Sequence, residues 1–198
     1  MAPHLPASPT RVGALLALPL LAACASPGEG RRPGLTLYGG RYTDTSLPEE
    51  ILIGKKVTYE DAWLASATWA EPLSVWGPFD TEWEVGVAQH FGEQDHQELN
   101  ALFLLRYEAP WSASLPTSLA IGEGLSWASE VPPLESASHT NTGSRQLLNH
   151  LVLEATVGPP RADWQLILRI HHRSGVFGLF DGVIGGSNVI ALGVRWFF

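Results

Sequence analysis

The segment Ile170-His171-His172-Arg173-Ser174-Gly175 sets an imidazole and a hydroxyl two residues apart. On a β-strand, side chains at i and i+2 leave the same face. His172 and Ser174 would therefore stand together, with His171 and Arg173 turned the other way. A base beside a hydroxyl is the minimal activated nucleophile, able to attack an ester carbonyl and pass the proton on to the leaving group. Alternation through Trp164, Leu166, Leu168 and Ile170 puts this pair on the apolar face of its strand. Polar groups on an apolar, lipid-facing surface are costly unless they serve a purpose. The competing reading is that the strand has already emerged there, leaving both residues as a wet rim.

Other chemistry is absent. There is no nucleophile elbow, CxxC, HExxH, phosphate-binding loop or GxGxxG. Spacing gives the seven histidines no compact ligand set. Adjacent His171 and His172 face opposite sides of a strand and cannot chelate one ion. Gln94, Asp95 and His96 lie in a short loop that could take a divalent cation but reads better as a solvated turn. The expectation is no metal and no cofactor.

The elements that must position the pair show period-two alternation. Trp63, Ala65, Ala67 and Trp69 share a face opposite Ser66 and Thr68; Trp83, Val85 and Val87 alternate with Glu82, Glu84 and Gly86. Leu99 to Tyr107, Trp164 to Ile170 and Ile190 to Phe198 behave alike, and weaker runs near 35–43, 118–129 and 146–157 bring the total to eight candidate strands. The polar faces carry both signs of charge (Glu82, Glu84, Glu98, Arg106, Arg169, Arg195), as in a small barrel plugged by its own side chains. Trp69, Trp83, Tyr107, Trp127, Trp164 and Trp196 fall near strand ends, where an interfacial girdle belongs. Connections after the second, fourth and sixth strands are short. Those after the first, fifth and seventh are longer, about 13–17 residues, the asymmetry of a transmembrane barrel. An eight-stranded antiparallel transmembrane β-barrel is expected, too narrow for an aqueous channel.

Composition agrees. Charged residues are only 16% of the chain, which carries eight Trp and a net charge of -8, so no basic stripe serves a nucleic-acid partner. Val12 to Ala23, after Arg11, is an apolar run too short to span a bilayer and reads as an export signal. It ends Leu21-Ala22-Ala23-Cys24, which resembles a lipobox, so Cys24 is a lipidation candidate beside the plainer reading of a signal cut near Ala25. As the sole cysteine, Cys24 allows no intramolecular disulfide. The expected organisation is a signal over 1–25, a linker over 26–33 and one barrel over 34–198. Its last strand ends on Phe198, which resembles the C-terminal signature read by the outer-membrane barrel-assembly machinery.

His172-Arg173-Ser174 also resembles, in identity, spacing and face, the His-x-Ser motif of the lipid A 3-O-deacylases (PagL-like outer-membrane esterases). The specific match covers about the last thirty residues. It implies a bacterial outer-membrane location, lipopolysaccharide as substrate, and Ser174 and His172 as nucleophile and base. The family's third member is a Glu opening the last strand on the same face. Here that position offers Asn188, with Asp181 and Glu123 as alternative orienting groups, although Glu123 is expected to turn into the lumen. Gly175 stands where the family has Asn. Asn149, one strand away, faces outward and could act as a donor. Loss of the carboxylate keeps a catalytically silent barrel with a structural or adhesion role in play.

Overall fold

The computed structural model describes residues 32–198 apart from 44, 48–50, 54–55 and 139–141. Cys24 and the signal segment lie outside the described residues. Eight strands form: β1 (Gly34–Thr43), β2 (Tyr59–Trp76), β3 (Phe79–Gly92), β4 (Gln97–Glu108), β5 (Thr117–Ala128), β6 (Leu147–Val157), β7 (Trp164–Ser174) and β8 (Gly186–Phe197). Each pairs antiparallel with its neighbour in the chain, and β1 pairs with β8 to close the barrel. Closure leaves no sheet edge, as a bilayer with no water to satisfy the backbone demands.

The expected alternation is what the barrel sorts. Phe103 and Leu192 are 68% and 69% exposed on the outer wall, among Leu37, Val87, Leu99, Leu119 and Leu166. Inside lie Glu82, Glu84, Arg106, Glu154, Arg169 and Arg195, all buried. Apolar outside and ionic inside is the inverse of a water-soluble domain, and lipid is the solvent that fits such a wall. Among the described residues no helix is long and apolar enough to cross a membrane; the crossing is made by strands. The shortest has 10 residues, within the length a tilted strand needs.

The two ends differ. Residues 77–78, 109–116 and 158–163 turn the chain at one end; 44–58, 93–96, 129–146 and 175–185 connect it at the other, hereafter the loop end. Starting β8 at Gly186 makes the β7–β8 connection shorter than expected. In the turn-end half of the lumen, Arg169 donates to Glu84 (2.7 and 3.0 Å) and to Glu154 (2.8 Å), while Arg106 bridges Glu82 (3.1 Å) and Glu154 (2.8 Å). Arg195 reaches Glu82 at 3.0 Å. Each of these six buried charges is paired, the condition under which ionic side chains survive without water.

Two features were not anticipated. β2 runs on to Trp76, with a register shift between Pro72 and Ser74 that accommodates the proline. A short helix, α1 (Pro133–Ser138), folds over the loop end; its buried Glu135 accepts from Arg173 (3.0 Å) and Ser187 (2.5 Å), and Leu134 packs on the lumenal core.

Candidate active site

β7 delivers the pair as its parity requires. His171 and Arg173 are buried in the lumen, while His172 and Ser174 stand half-buried on the outer wall at the loop end. His172 lies opposite Asn188 of β8 and Leu151 of β6; Ser174 lies opposite Gly186 and Asn149. The His172 Nδ1 is 2.8 Å from Asn188 Oδ1 and 3.0 Å from the Ser187 carbonyl. A carbonyl can only accept, so Nδ1 carries the proton. The Asn188 amide is oriented in turn, because its Nδ2 donates to the Thr45 carbonyl at 2.9 Å. That fixes Oδ1 toward the imidazole. The tautomer is thereby set, and the lone pair of Nε2 is left as a base.

Two glycines make room for this arrangement. A Cβ at Gly186 would come within 2.9 Å of the His172 ring and 2.8 Å of Ser174 Cβ. A Cβ at Gly175 would meet the Val183 carbonyl at 2.1 Å. The β7–β8 loop doubles back that closely, so no Asn fits at 175 with the loop in this path. The loop also holds Val176 and Phe177 at positive φ (46° and 55°) and projects an almost fully exposed Phe177. A β-branched residue there is a strained outlier of the kind that gathers near functional sites.

Ser174 Oγ has no hydrogen-bond partner among the described residues. No His172–Ser174 hydrogen bond is formed.

The alternative orienting groups fare differently. Asp181 is exposed and accepts from Arg145 Nε at 2.5 Å; it does not fold back to His172. Glu123 does not turn into the lumen. It is exposed on the outer wall, because Gly122 and Gly124 continue the strand without a bulge that would invert it. Leu151 separates it from His172 by one full strand, so the two sit about 10 Å apart at two strand spacings. Its partner is instead Asn149, whose Nδ2 donates to Glu123 Oε1 and to the Gly124 carbonyl (3.1 Å). Both amide hydrogens of Asn149 are thus engaged. The outcome is a polar belt on the outward-facing parity, Glu123–Asn149–Ser174–His172–Asn188, running from β5 to β8, in which Asn149 and Asn188 are covered by their neighbours and buried.

The histidines also depart from expectation. His90, His96 and Glu98 converge in the loop-end lumen, where the backbone folds Gln94 and His96 inward instead of leaving a solvated turn. Sequence spacing hid this set because two strands and a hairpin contribute to it.

Fold and site together define a class: an eight-stranded barrel of outer-membrane architecture with polar groups on its lipid-facing wall. No family model and no curated protein sequence matches the chain. Among solved structures it is similar to the outer membrane enzyme PagL, with a TM-score of 0.60 and 13% identity over 83% of this chain and 99% of that one. It also matches Neisserial surface protein A (TM-score 0.47, 13% identity, 84% of this chain and 96% of that one). A third match is the Yersinia pestis outer membrane protein Ail (0.36, 11%, 82% and 99%). At such identities the first likeness speaks for the fold alone.

Proposed function

We propose that the chain is an outer-membrane esterase that removes an acyl chain from a lipid of its own membrane, lipid A of lipopolysaccharide being the substrate the His-x-Ser resemblance suggests. The observation that carries the reading is the anchored His172: with Nδ1–H held by Asn188 and Ser187, Nε2 is a base on the lipid-facing wall, two residues from Ser174. As Ser174 Oγ bonds to the ester carbonyl carbon, its proton passes to Nε2. Collapse of the tetrahedral adduct breaks the ester C–O bond, and the departing alkoxide takes that proton. Water, deprotonated by the same nitrogen, then releases the fatty acid and regenerates Ser174. Asn188 orients the imidazole as Asn does in Cys-His-Asn proteases, without a carboxylate's charge to stabilise the imidazolium. No cofactor enters these steps. The outward placement suits a substrate that arrives by lateral diffusion.

The deciding experiment incubates the refolded barrel with lipopolysaccharide in detergent and measures hydroxy fatty acid release. Release that is lost in Ser174→Ala supports the esterase. Equal release from both proteins, or none from either, supports a catalytically silent barrel, a reading favoured by the amide at Asn188 and the unmade His172–Ser174 bond.

The proposal extends to export through residues 1–25, with acylation at Cys24 and assembly through the strand ending at Phe198. Incorporation of labelled fatty acid that Cys24→Ala abolishes would support the lipidated form. A lipid-free mature terminus at or beyond Ala25 would remove it.

A further inference from the structure

The loop-end lumen holds a cluster that neither the barrel's closure nor the outer-wall chemistry uses. His90 of β3 and His96, two residues before Glu98 of β4, stack with ring centroids 4.1 Å apart and planes 11° from parallel. His90 Nε2 lies 2.9 Å, and His96 Nε2 3.5 Å, from the same Glu98 oxygen. The three donor atoms fall within 4.8 Å of one another. Four-coordinate zinc, with bonds of about 2.0–2.1 Å to nitrogen and oxygen, sets its ligand atoms roughly 3.3 Å apart. The two nitrogen–oxygen distances, 2.9 and 3.5 Å, bracket that spacing. We propose that His90, His96 and Glu98 form a binding site for one late first-row divalent cation, such as zinc.

A second, independent observation points the same way. The His96 side chain is 1% exposed, and among the described residues neither of its ring nitrogens makes a hydrogen bond, Nε2 having only its 3.5 Å approach to Glu98. Burying an imidazole with both nitrogens unsatisfied is costly, and such groups in a native fold call for a reason. A cation beside Nε2 supplies one.

The surroundings fit. Gln94 Nε2 stands 3.1 Å from His90 Nδ1, while the buried Gln94 Oε1 has no hydrogen-bond partner among the described residues. Turning that amide over lets Oε1 accept from His90 Nδ1–H, which puts the ring proton on Nδ1 and frees His90 Nε2 for a metal. The other Glu98 oxygen accepts from His171 Nε2 at 2.9 Å, and Tyr38 hydroxyl lies 3.1 Å from His171 Nδ1. Glu98 is thus oriented as metal-bound carboxylates are. Arg173 approaches Glu98 at 3.7 Å, but its charge is offset by Glu135 at 3.0 Å. Two nitrogens and one carboxylate are a ligand set for zinc and its neighbours, not for the all-oxygen spheres of calcium or magnesium. The short β3–β4 connection, the exception among the loop-end segments, is what closes the hairpin: His90 N–H donates to the His96 carbonyl at 2.8 Å.

The test uses untagged full-length protein extracted from outer membranes, stripped with chelator, supplied with zinc chloride and desalted. One zinc per barrel by elemental analysis, with a rise in unfolding temperature on adding zinc, is the expected result. His96→Gln should lower zinc affinity at least tenfold and abolish the temperature rise. His96 has only its 3.5 Å approach to Glu98 to lose, so this variant should fold even if Glu98→Gln does not. His150→Gln, a change at a lumenal histidine outside the set, should retain the full equivalent. Less than a tenth of an equivalent on the wild type, or one equivalent undiminished in folded His96→Gln, overturns the site and leaves a metal-free histidine cluster.

Discussion

His171 and His172 are neighbours in sequence and inhabit opposite environments. His171 lies in the lumen, with a phenol on one ring nitrogen and a carboxylate on the other. His172 lies on the lipid-facing wall, with one nitrogen anchored by Asn188 and Ser187 and the other without a hydrogen bond among the described residues. In the turn-end half of the lumen the ionic side chains form a closed network in which partners answer one another across the barrel, Arg169 of β7 reaching Glu84 of β3. The outer belt is an open one, answered along the sheet and by the Thr45 carbonyl of the β1–β2 connection, with Ser174 Oγ and His172 Nε2 left without hydrogen bonds among the described residues. A closed network holds the barrel together. An open one in an apolar setting has valence to offer a substrate. Substitutions on the two sides should therefore fail differently: outward changes in turnover, inward changes in stability.

The largest effect is expected at the open end. Ser174→Ala and His172→Ala should each lower fatty acid release at least about 10³-fold, because such residues act as a unit. Both variants should keep the heat-modifiable gel mobility of the folded barrel. Loss of that mobility, with turnover surviving in whatever folds, would erase the distinction between the two faces.

Next in size is the closed side. Arg169→Met removes one guanidinium and leaves Glu84 and Glu154 short of a partner in the lumen. Stranding buried charge costs about 3–5 kcal/mol, which should appear as a large drop in the urea midpoint of reversible unfolding in lipid vesicles. The folded fraction should turn over substrate at the wild-type rate. An unchanged midpoint would show that the network contributes little beyond excluding water.

How far these assignments were legible from sequence follows the same divide. Strand existence and face were readable because period-two patterning is imposed by the solvent on each side. Leu99, Ala101, Phe103 and Leu105 could only face outward if Glu98 and Arg106 face in. The outward stance of His172, Ser174 and Asn188 followed from counting parity. What resisted reading was set by contacts between distant segments. Glu123 was expected inside because a lone carboxylate on a lipid-facing wall is expensive. Asn149, 26 residues away, is the partner that stabilises it there. The burial of Gln94 and His96 depends on how tightly one hairpin closes, and the seat of α1 on Arg173 depends on a partner 38 residues on. Local pattern carries no trace of either.

A smaller effect is expected at the anchor. Asn188→Ala removes one of two acceptors from His172 Nδ1 and leaves the Ser187 carbonyl at 3.0 Å. Loss of the orienting residue in a serine triad costs about 10⁴-fold, chiefly through the wrong tautomer. With the carbonyl still selecting the tautomer, the loss here should be on the order of 10–10²-fold in kcat. Asp181→Asn should leave the rate unchanged, since that carboxylate is spent on exposed Arg145. A collapse of activity in Asp181→Asn, with Asn188→Ala silent, would move the orienting role into the β7–β8 loop.

The smallest effect is expected at Glu123, which tests the boundary of the open belt. Leu151 stands between it and His172, so no direct contact can tune the base. Its one link to the site is Asn149, the cross-strand partner of Ser174. Glu123→Gln keeps an oxygen for the Asn149 amide to donate to, and turnover should fall by less than about threefold, a change of roughly 0.7 kcal/mol in the barrier. Glu123→Leu removes that acceptor and returns an apolar side chain to the lipid face. Stability should hold or rise, because an acidic group on such a wall carries a cost that a leucine does not. The freed Asn149 amide can then rotate toward Ser174, and a modest gain in kcat is the expected sign. A loss as deep as that of His172→Ala in both Glu123 variants would make the carboxylate part of the reacting unit, acting through Asn149. The catalytic group would then extend across four strands rather than two.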